Sequence, residues 1–191
     1  MTLWYVGVGS NIRPRRHIRL AVRLLIGHPH IRLAGSSTFY RTKALGVPGA
    51  PDFLNGVFEL RTDLPRHQLA EALAVIETAT GRQRAENRNA PRTLDLDLLL
   101  SRVDSTDGWR PGEEIRSLHR DVMERAFVAI PLHELASDLR LDAEGSSLGQ
   151  VVAGFEPGWG TPQRLFSRRI KRLLTVSGEG ICALDACQEP H

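Results

Sequence analysis

Residues 93–99 read Thr-Leu-Asp-Leu-Asp-Leu-Leu, a period-two alternation that reads as a strand with one apolar and one acidic face. Leu94, Leu96 and Leu98 fall on the side that meets a core, and Asp95 and Asp97 fall together on the other. Two strand rises separate the two aspartates by roughly 6.5–7 Å at the backbone, so their carboxylates can converge on one cation or a pair of cations. Uncompensated, they repel; a divalent metal or a set of arginines must offset them. Magnesium suits the pair, because it takes oxygen ligands, keeps several waters and uses one or two carboxylates alongside substrate phosphates. An isolated Asp-x-Asp is more often a solvated polar face. Here, however, Arg82, Arg84, Arg88 and Arg92 lead into it. Guanidinium forks bind phosphate oxygens bidentately and stay charged at any working pH. The combination fits a nucleoside triphosphate with magnesium, and the absence of a Gly-x-x-x-x-Gly-Lys-Ser/Thr loop leaves the phosphates to side chains.

The rest of the chain supplies partners for that strand. Leu3 to Gly9 reads as a first strand ending in the turn Gly9-Ser10-Asn11. Pro14 opens a helix with Ile18, Ala21, Val22 and Leu25 on a helical period. Ile31 to Tyr40 is a second strand, and Phe53 to Leu60 a third, with Phe53, Asn55, Val57 and Glu59 on one face. A helix spans Pro65 to Thr80, carrying Leu69, Leu73 and Ile76 as its apolar stripe and Gly81 as its stop. Residues 101–117 read as loop, Met123 to Leu135 as a third helix. The order is β-α-β-β-α-β with a helix added, an α+β ferredoxin-like antiparallel sheet with helices on one face. After Gly154 the pattern dissolves, and residues 156–191 read as a basic, poorly ordered extension with five basic residues between Arg164 and Arg172.

A chain of 191 residues with 41% hydrophobic side chains can build one core without staples. Its apolar runs are too short for a membrane span, and Met1 to Tyr5 lacks the layout of a secretion signal. Cys182 and Cys187, the only cysteines, sit near the C-terminus, so a reducing cytoplasmic setting is the default. The 25 Lys and Arg against 22 Asp and Glu suit a polyanionic ligand without demanding nucleic acid.

The run from Arg88 through Asn89-Ala90-Pro91-Arg92-Thr93-Leu94-Asp95-Leu96-Asp97 to Leu99 resembles the signature of the 6-hydroxymethyl-7,8-dihydropterin pyrophosphokinase family of the folate pathway. Gly9-Ser10-Asn11, Ser37 to Thr42, Asp52 to Asn55, Ile76-Glu77 and Gly81-Arg82 match in order, and His119, Arg125, Ala126-Phe127 and Pro131-Leu132 extend the match over roughly residues 3 to 142. The resemblance implies a ferredoxin-like domain over 1–155 that transfers diphosphate from ATP to a reduced pterin and releases AMP. Asp95 and Asp97 are then the ligands of two magnesium ions. Arg82 and Arg92 stabilise the transition state, and Arg84, Arg88, His119 and Arg125 contact the nucleotide. The pterin stacks between Phe53 and Phe127, read by Asn55 and the backbone around Thr42, Leu45 and Gly46. Glu77 and Arg82 match the start of a mobile loop. Dihydropteroate synthase is implied as a functional neighbour, and a monomer is expected.

The sequence departs from the family pattern at Phe53, where Tyr is common, and at Ala74, Asn89 and Arg120. Those departures motivate a second reading, a paralogue acting on another pterin. The arginine face at Arg15, Arg16, Arg19 and Arg23 motivates a third, a nucleic-acid module. Against the third, the strands lack surface-stacking aromatics, and Asp95 and Asp97 repel phosphate unless metal is present.

Overall fold

The computed structural model describes residues 1–44, 49–83, 90–103, 115, 117–141 and 145–178. Its organising element is β1 (Thr2–Ser10), which pairs antiparallel with β4 (Phe53–Thr62) on one side and β5 (Asp95–Val103) on the other. Trp4, Val6 and Val8 enter one hydrophobic core while Leu3 and Tyr5 enter another. With both faces buried, β1 has no polar side to display, so its alternation is weak in sequence. β2 (Ile31–Ser36) and β3 (Tyr40–Thr42) both pair with β4, and β6 (Ser117–Leu118) adds to β5. The resulting order, β6-β5-β1-β4-β3 with β2 also on β4, is that of the expected ferredoxin-like α+β sheet.

Helices cover both faces, not one. On the first face lie α1 (Pro14–Ile26), through Ile18, Ala21, Val22 and Leu25, and α2 (Arg66–Ala79), through Leu69, Leu73 and Ile76. α2 stops at Gly81, whose φ of 82° is costly for any residue with a Cβ. The second face is covered by α3 (Asp121–Glu124), α4 (Ala126–His133) and α5 (Leu148–Ala153), which bury Val122, Ala129, Leu132 and Leu148 against Tyr5, Val57, Leu99 and Leu100. Those four strand residues are the reason: an apolar second face left in water forfeits on the order of 25 cal/mol per Å².

The single helix expected over Met123 to Leu135 is two, broken at Arg125, whose φ of −125° and ψ of 113° are extended. The expected second strand is likewise two, because Ser37 to Phe39 bond elsewhere. Val57 N donates to Ser37 Oγ (2.8 Å), Thr38 N to Glu134 Oε2 (2.7 Å) and Phe39 N to Ser167 Oγ (2.9 Å). β5 runs three residues beyond the expected end of its strand, and 104–114 lie outside the described residues.

The C-terminal segment differs most from expectation. β7 (Thr161–Pro162) pairs with β3, and α6 (Arg164–Gly178) packs on the first face with Phe166 and Ile170 buried. The poorly ordered reading therefore fails for 164–178; residues 179–191 are outside the described set. The dense arginines conceal an apolar stripe, Phe166, Ile170, Leu173 and Leu174, at helical spacing. Ile170→Ala should lower stability by about 2–4 kcal/mol in urea unfolding, the usual cost of a truncated core side chain; a loss near zero would mean that α6 is not held. Among the described residues, no helix is long and apolar enough to cross a membrane.

Candidate active site

Where β4, β1 and β5 run side by side, Asn55, Gly9 and Asp95 are register neighbours, and Gly7 pairs with Asp97. These residues share one sheet face, the side opposite Leu94 and Leu96, which lie in the first core. The central strand offers only glycines there. A Cβ at Gly9 would stand 3.1 Å from Asn55 Oδ1 and 3.7 Å from Asp95 Cβ, so the bare backbone keeps a floor open between amide and carboxylate. Above it lies a cavity of about 470 Å³, within the range of small-molecule sites. Phe53 and Asn55 of β4, Asp95 and Asp97 of β5, Phe127 of α4 and Arg125 all line it.

Asn55 Nδ2 donates to Thr42 Oγ1 at 2.8 Å with both residues buried, which fixes the amide's orientation. The Arg92 guanidinium carbon stands 5.8 Å from the Phe53 ring centroid, a cation–π contact. His119 Nδ1 accepts from Asp121 N at 3.2 Å, so the neutral ring carries its proton on Nε2.

The turn Gly9-Ser10-Asn11 acts as a latch. Ser10 Oγ donates to Thr93 O at 2.6 Å, Arg92 N donates to Asn11 Oδ1 at 2.7 Å, and Asn11 N donates to Arg92 O at 3.1 Å. Together these bonds seat Arg92 and the start of β5 against the end of β1.

Behind the cavity is an ionic cluster. Arg82 Nη1 is paired with both Glu77 Oε1 and Asp95 Oδ1 and donates to Leu94 O at 3.1 Å. Arg92 Nη1 takes the other Asp95 oxygen at 2.6 Å. Leu96 N donates to Glu77 Oε1 at 2.7 Å, tying the end of α2 to β5. Burial pushes the Glu77 carboxyl up. Asp97 opens to water through the cleft, yet the surrounding protein and then the Asp95 charge push its carboxyl up to about 6. Among the described residues no hydrogen bond reaches the Asp97 carboxylate. Its negative charge, two residues from a second carboxylate and only partly offset by Arg82, is one that a hard divalent cation would relieve. Among the described residues no three His, Cys, Asp or Glu side chains gather to hold a metal. Asp95 and Asp97 would supply only part of a coordination shell and leave the remainder to phosphate and water.

Of the residues singled out in the sequence, Thr42, Phe53, Asn55, Arg92, Asp95, Asp97, His119, Arg125 and Phe127 line this one cavity. Arg82 stands behind it on Asp95, while Arg84, Arg88, Leu45 and Gly46 lie outside the described residues. Arg120 is paired with Glu124 at 2.9 Å and is not part of the lining. Sequence reasoning missed Lys43 and Asp121, both on the cavity wall. Asp121, two residues beyond His119, was within reach of a motif reading; Lys43 had no signal beyond its place at a strand end.

Comparison with known proteins gives a family. The family model described as 7,8-dihydro-6-hydroxymethylpterin-pyrophosphokinase matches residues 5–137. A 2-amino-4-hydroxy-6-hydroxymethyldihydropteridine pyrophosphokinase of Pseudomonas aeruginosa is 40% identical over 150 residues, covering 78% of this chain and 89% of the relative. The protein of that name from Methylorubrum extorquens is 38% identical, covering 82% and 96%; that of Bacillus subtilis is 34% identical, covering 76% and 85%.

Proposed function

This chain belongs to the 7,8-dihydro-6-hydroxymethylpterin-pyrophosphokinase family, and on that premise we propose that it transfers the terminal diphosphate of ATP to the hydroxymethyl group of 6-hydroxymethyl-7,8-dihydropterin, releasing AMP for folate biosynthesis. The observation that carries the reading is the row Asn55–Gly9–Asp95, with Asp97 beside it, on the floor of a cavity walled by two phenylalanines. A flat bicyclic ring fits between Phe53 and Phe127, and the Asn55 amide, fixed by Thr42, reads its edge. Analogues that leave that buried amide unpaired are rejected.

In the transfer, the pterin hydroxyl oxygen bonds to the β-phosphorus as the bond from that phosphorus to the α-phosphate oxygen breaks; the electron pair leaves with AMP, and the hydroxyl proton passes to water in the open cleft. Asp95 and Asp97 would hold the magnesium ions, which supply charge neutralisation across the triphosphate when bound. Arg82 and Arg92 pair with the two oxygens of Asp95. Their guanidiniums turn toward phosphate oxygens when those oxygens become available, adding cationic charge where negative charge develops. Arg125 adds a further cation to that wall and His119 a ring N–H donor, and Arg84 and Arg88 are assigned in this reading to nucleotide contacts. Thr42, Leu45 and Gly46 belong, in this reading, to the pterin's backbone contacts.

The same reading makes the protein a cytoplasmic monomer whose product passes to dihydropteroate synthase, supported by its few cysteines and by the pathway of its relatives' reaction. The test is direct: purified protein with ATP, magnesium and 6-hydroxymethyl-7,8-dihydropterin should release AMP stoichiometrically with pterin diphosphate. No AMP above background would sink it.

A further inference from the structure

The positive charge of this chain is not spread evenly. α1 and α6 together hold nine of its 25 basic residues and none of its 22 acidic ones, so the rest of the chain is net negative. The two helices touch each other on the same face of the sheet. Each turns its apolar stripe inward: Ile18, Ala21, Val22 and Leu25 on α1, Phe166 and Ile170 on α6. Helical periodicity then points Arg16 and Arg23 of α1, and Arg168 and Arg172 of α6, directly away from the core, and all four are exposed. Between the helices, Arg15, Arg19 and Arg169 line a small cleft of about 130 Å³ with Leu165 and Phe166. The cleft lies at the first turns of both helices, where Arg15 Nη2 donates to Gln163 Oε1 at 3.2 Å. Two helix N-termini therefore add their partial positive charge to that of the guanidiniums.

We propose that this α1–α6 face is a second binding surface, separate from the pterin cavity, which docks the phosphate backbone of nucleic acid without regard to sequence. Charge complementarity selects a polyanion. Arginine, eight of the nine cations, selects phosphate, whose oxygens its fork engages bidentately. A protein partner is disfavoured because interface hot spots need several aromatic or aliphatic anchors, and among the described residues of the two helices a single large apolar side chain, Leu165, is exposed. A membrane is disfavoured for the same reason, since the apolar stripe of α6 is already spent on the core. The face carries no exposed aromatic on either helix to stack a base, so affinity must come from counterion release and fall steeply with salt.

The experiment titrates a fluorescein-labelled mixed-sequence 20-nucleotide RNA with the full-length protein at 50 to 200 mM salt, without magnesium, reading anisotropy. Expected is binding whose log–log salt slope is roughly −3, the value for about four phosphates on a single strand. The quadruple variant R16E/R23E/R168E/R172E should weaken that binding by roughly tenfold or more and flatten the slope, with AMP release unchanged. Because reversing four charges can disturb folding, the paired variant R16Q/R168Q, which should lose about half the slope, is measured beside it with urea unfolding. Polyglutamate of matched charge and phosphatidylserine vesicles are the competitors. No binding at 50 mM salt, an unchanged slope in both variants, or displacement by either competitor as effective as by unlabelled RNA would overturn the proposal.

Discussion

Asp97→Ala should reduce AMP release by roughly three orders of magnitude, about 4 kcal/mol of transition-state stabilisation, while leaving the fold as stable as before or slightly more so. The loss follows from removing a carboxylate that lines the cavity and is proposed to hold a metal ion. The tolerance follows from geometry: the side chain lies across the strand from Leu94 and Leu96, and no core contact goes with it. The protein walls around Asp97 and the neighbouring Asp95 charge push its carboxyl up to about 6 from the ordinary 3.8. An acid with a raised folded pKa favours the fold while protonated. That contribution is complete below about pH 4 and is lost as pH rises through about 6. Because Asp97 opens to water, screening should hold the effect to about 1 kcal/mol or less. Asp97→Asn removes the titration, so urea unfolding between pH 4 and 7 should lose that downward step in the variant. Magnesium should stabilise the wild type at pH 7 and leave Asp97→Ala nearly unmoved. Near-normal turnover in Asp97→Ala would refute the metal assignment, whatever the stability measurement gave.

What could be read from the chain alone follows from how local each signal is. The Leu-Asp alternation of β5 needs only neighbouring residues to be interpreted, and the stripes of α1 and α2 recur within a turn or two, so both survive without tertiary knowledge. The break between β2 and β3 does not, because Thr38 and Phe39 bond to Glu134 and Ser167, about a hundred or more residues away. α6 was obscured for a different reason. Its five cations dominate composition, while the four apolar residues of its inward stripe recur at helical spacing and gain meaning only against a sheet that has a face to cover. The two-sided covering of the sheet was legible in principle in the nearly unbroken apolar run of β1, which leaves no polar face to solvent. At the site, Phe53, Asn55, Asp95 and Asp97 were recoverable from strand parity, but their convergence with Phe127 and Arg125 depends on the extended kink at Arg125, which periodicity alone reads as helix. The Gly9-Ser10-Asn11 turn was visible as a turn; that it is the latch for Arg92 required the register of β1 against β5.

Arg82→Ala should be the most damaging single change, because it removes the guanidinium that, among the described residues, touches both Glu77 and Asp95. Glu77, Asp95 and Asp97 would then share one partly buried region with Arg92 alone on Asp95. Removing one partner of a buried ionic group costs far more than the pair contributes, and the expected loss is about 2–4 kcal/mol of stability, together with most of the turnover. Combining it with Glu77→Gln separates the two effects. The glutamine oxygen can still accept from Leu96 N, while the unpaired charge is gone. The double variant should recover stability relative to Arg82→Ala, with a coupling of about 1–3 kcal/mol in a double-mutant cycle. Turnover should not return, because the double variant still lacks the cation that the proposed mechanism brings to the phosphates. Recovery of both together would reduce Arg82 to a prop for β5, and the charge stabilisation assigned to it would have to come from Arg92. A pterin-binding measurement on the same proteins sharpens the distinction: affinity set by Phe53 and Asn55 should change little in Arg82→Ala, because neither residue contacts the ionic cluster except through the ring-facing Arg92.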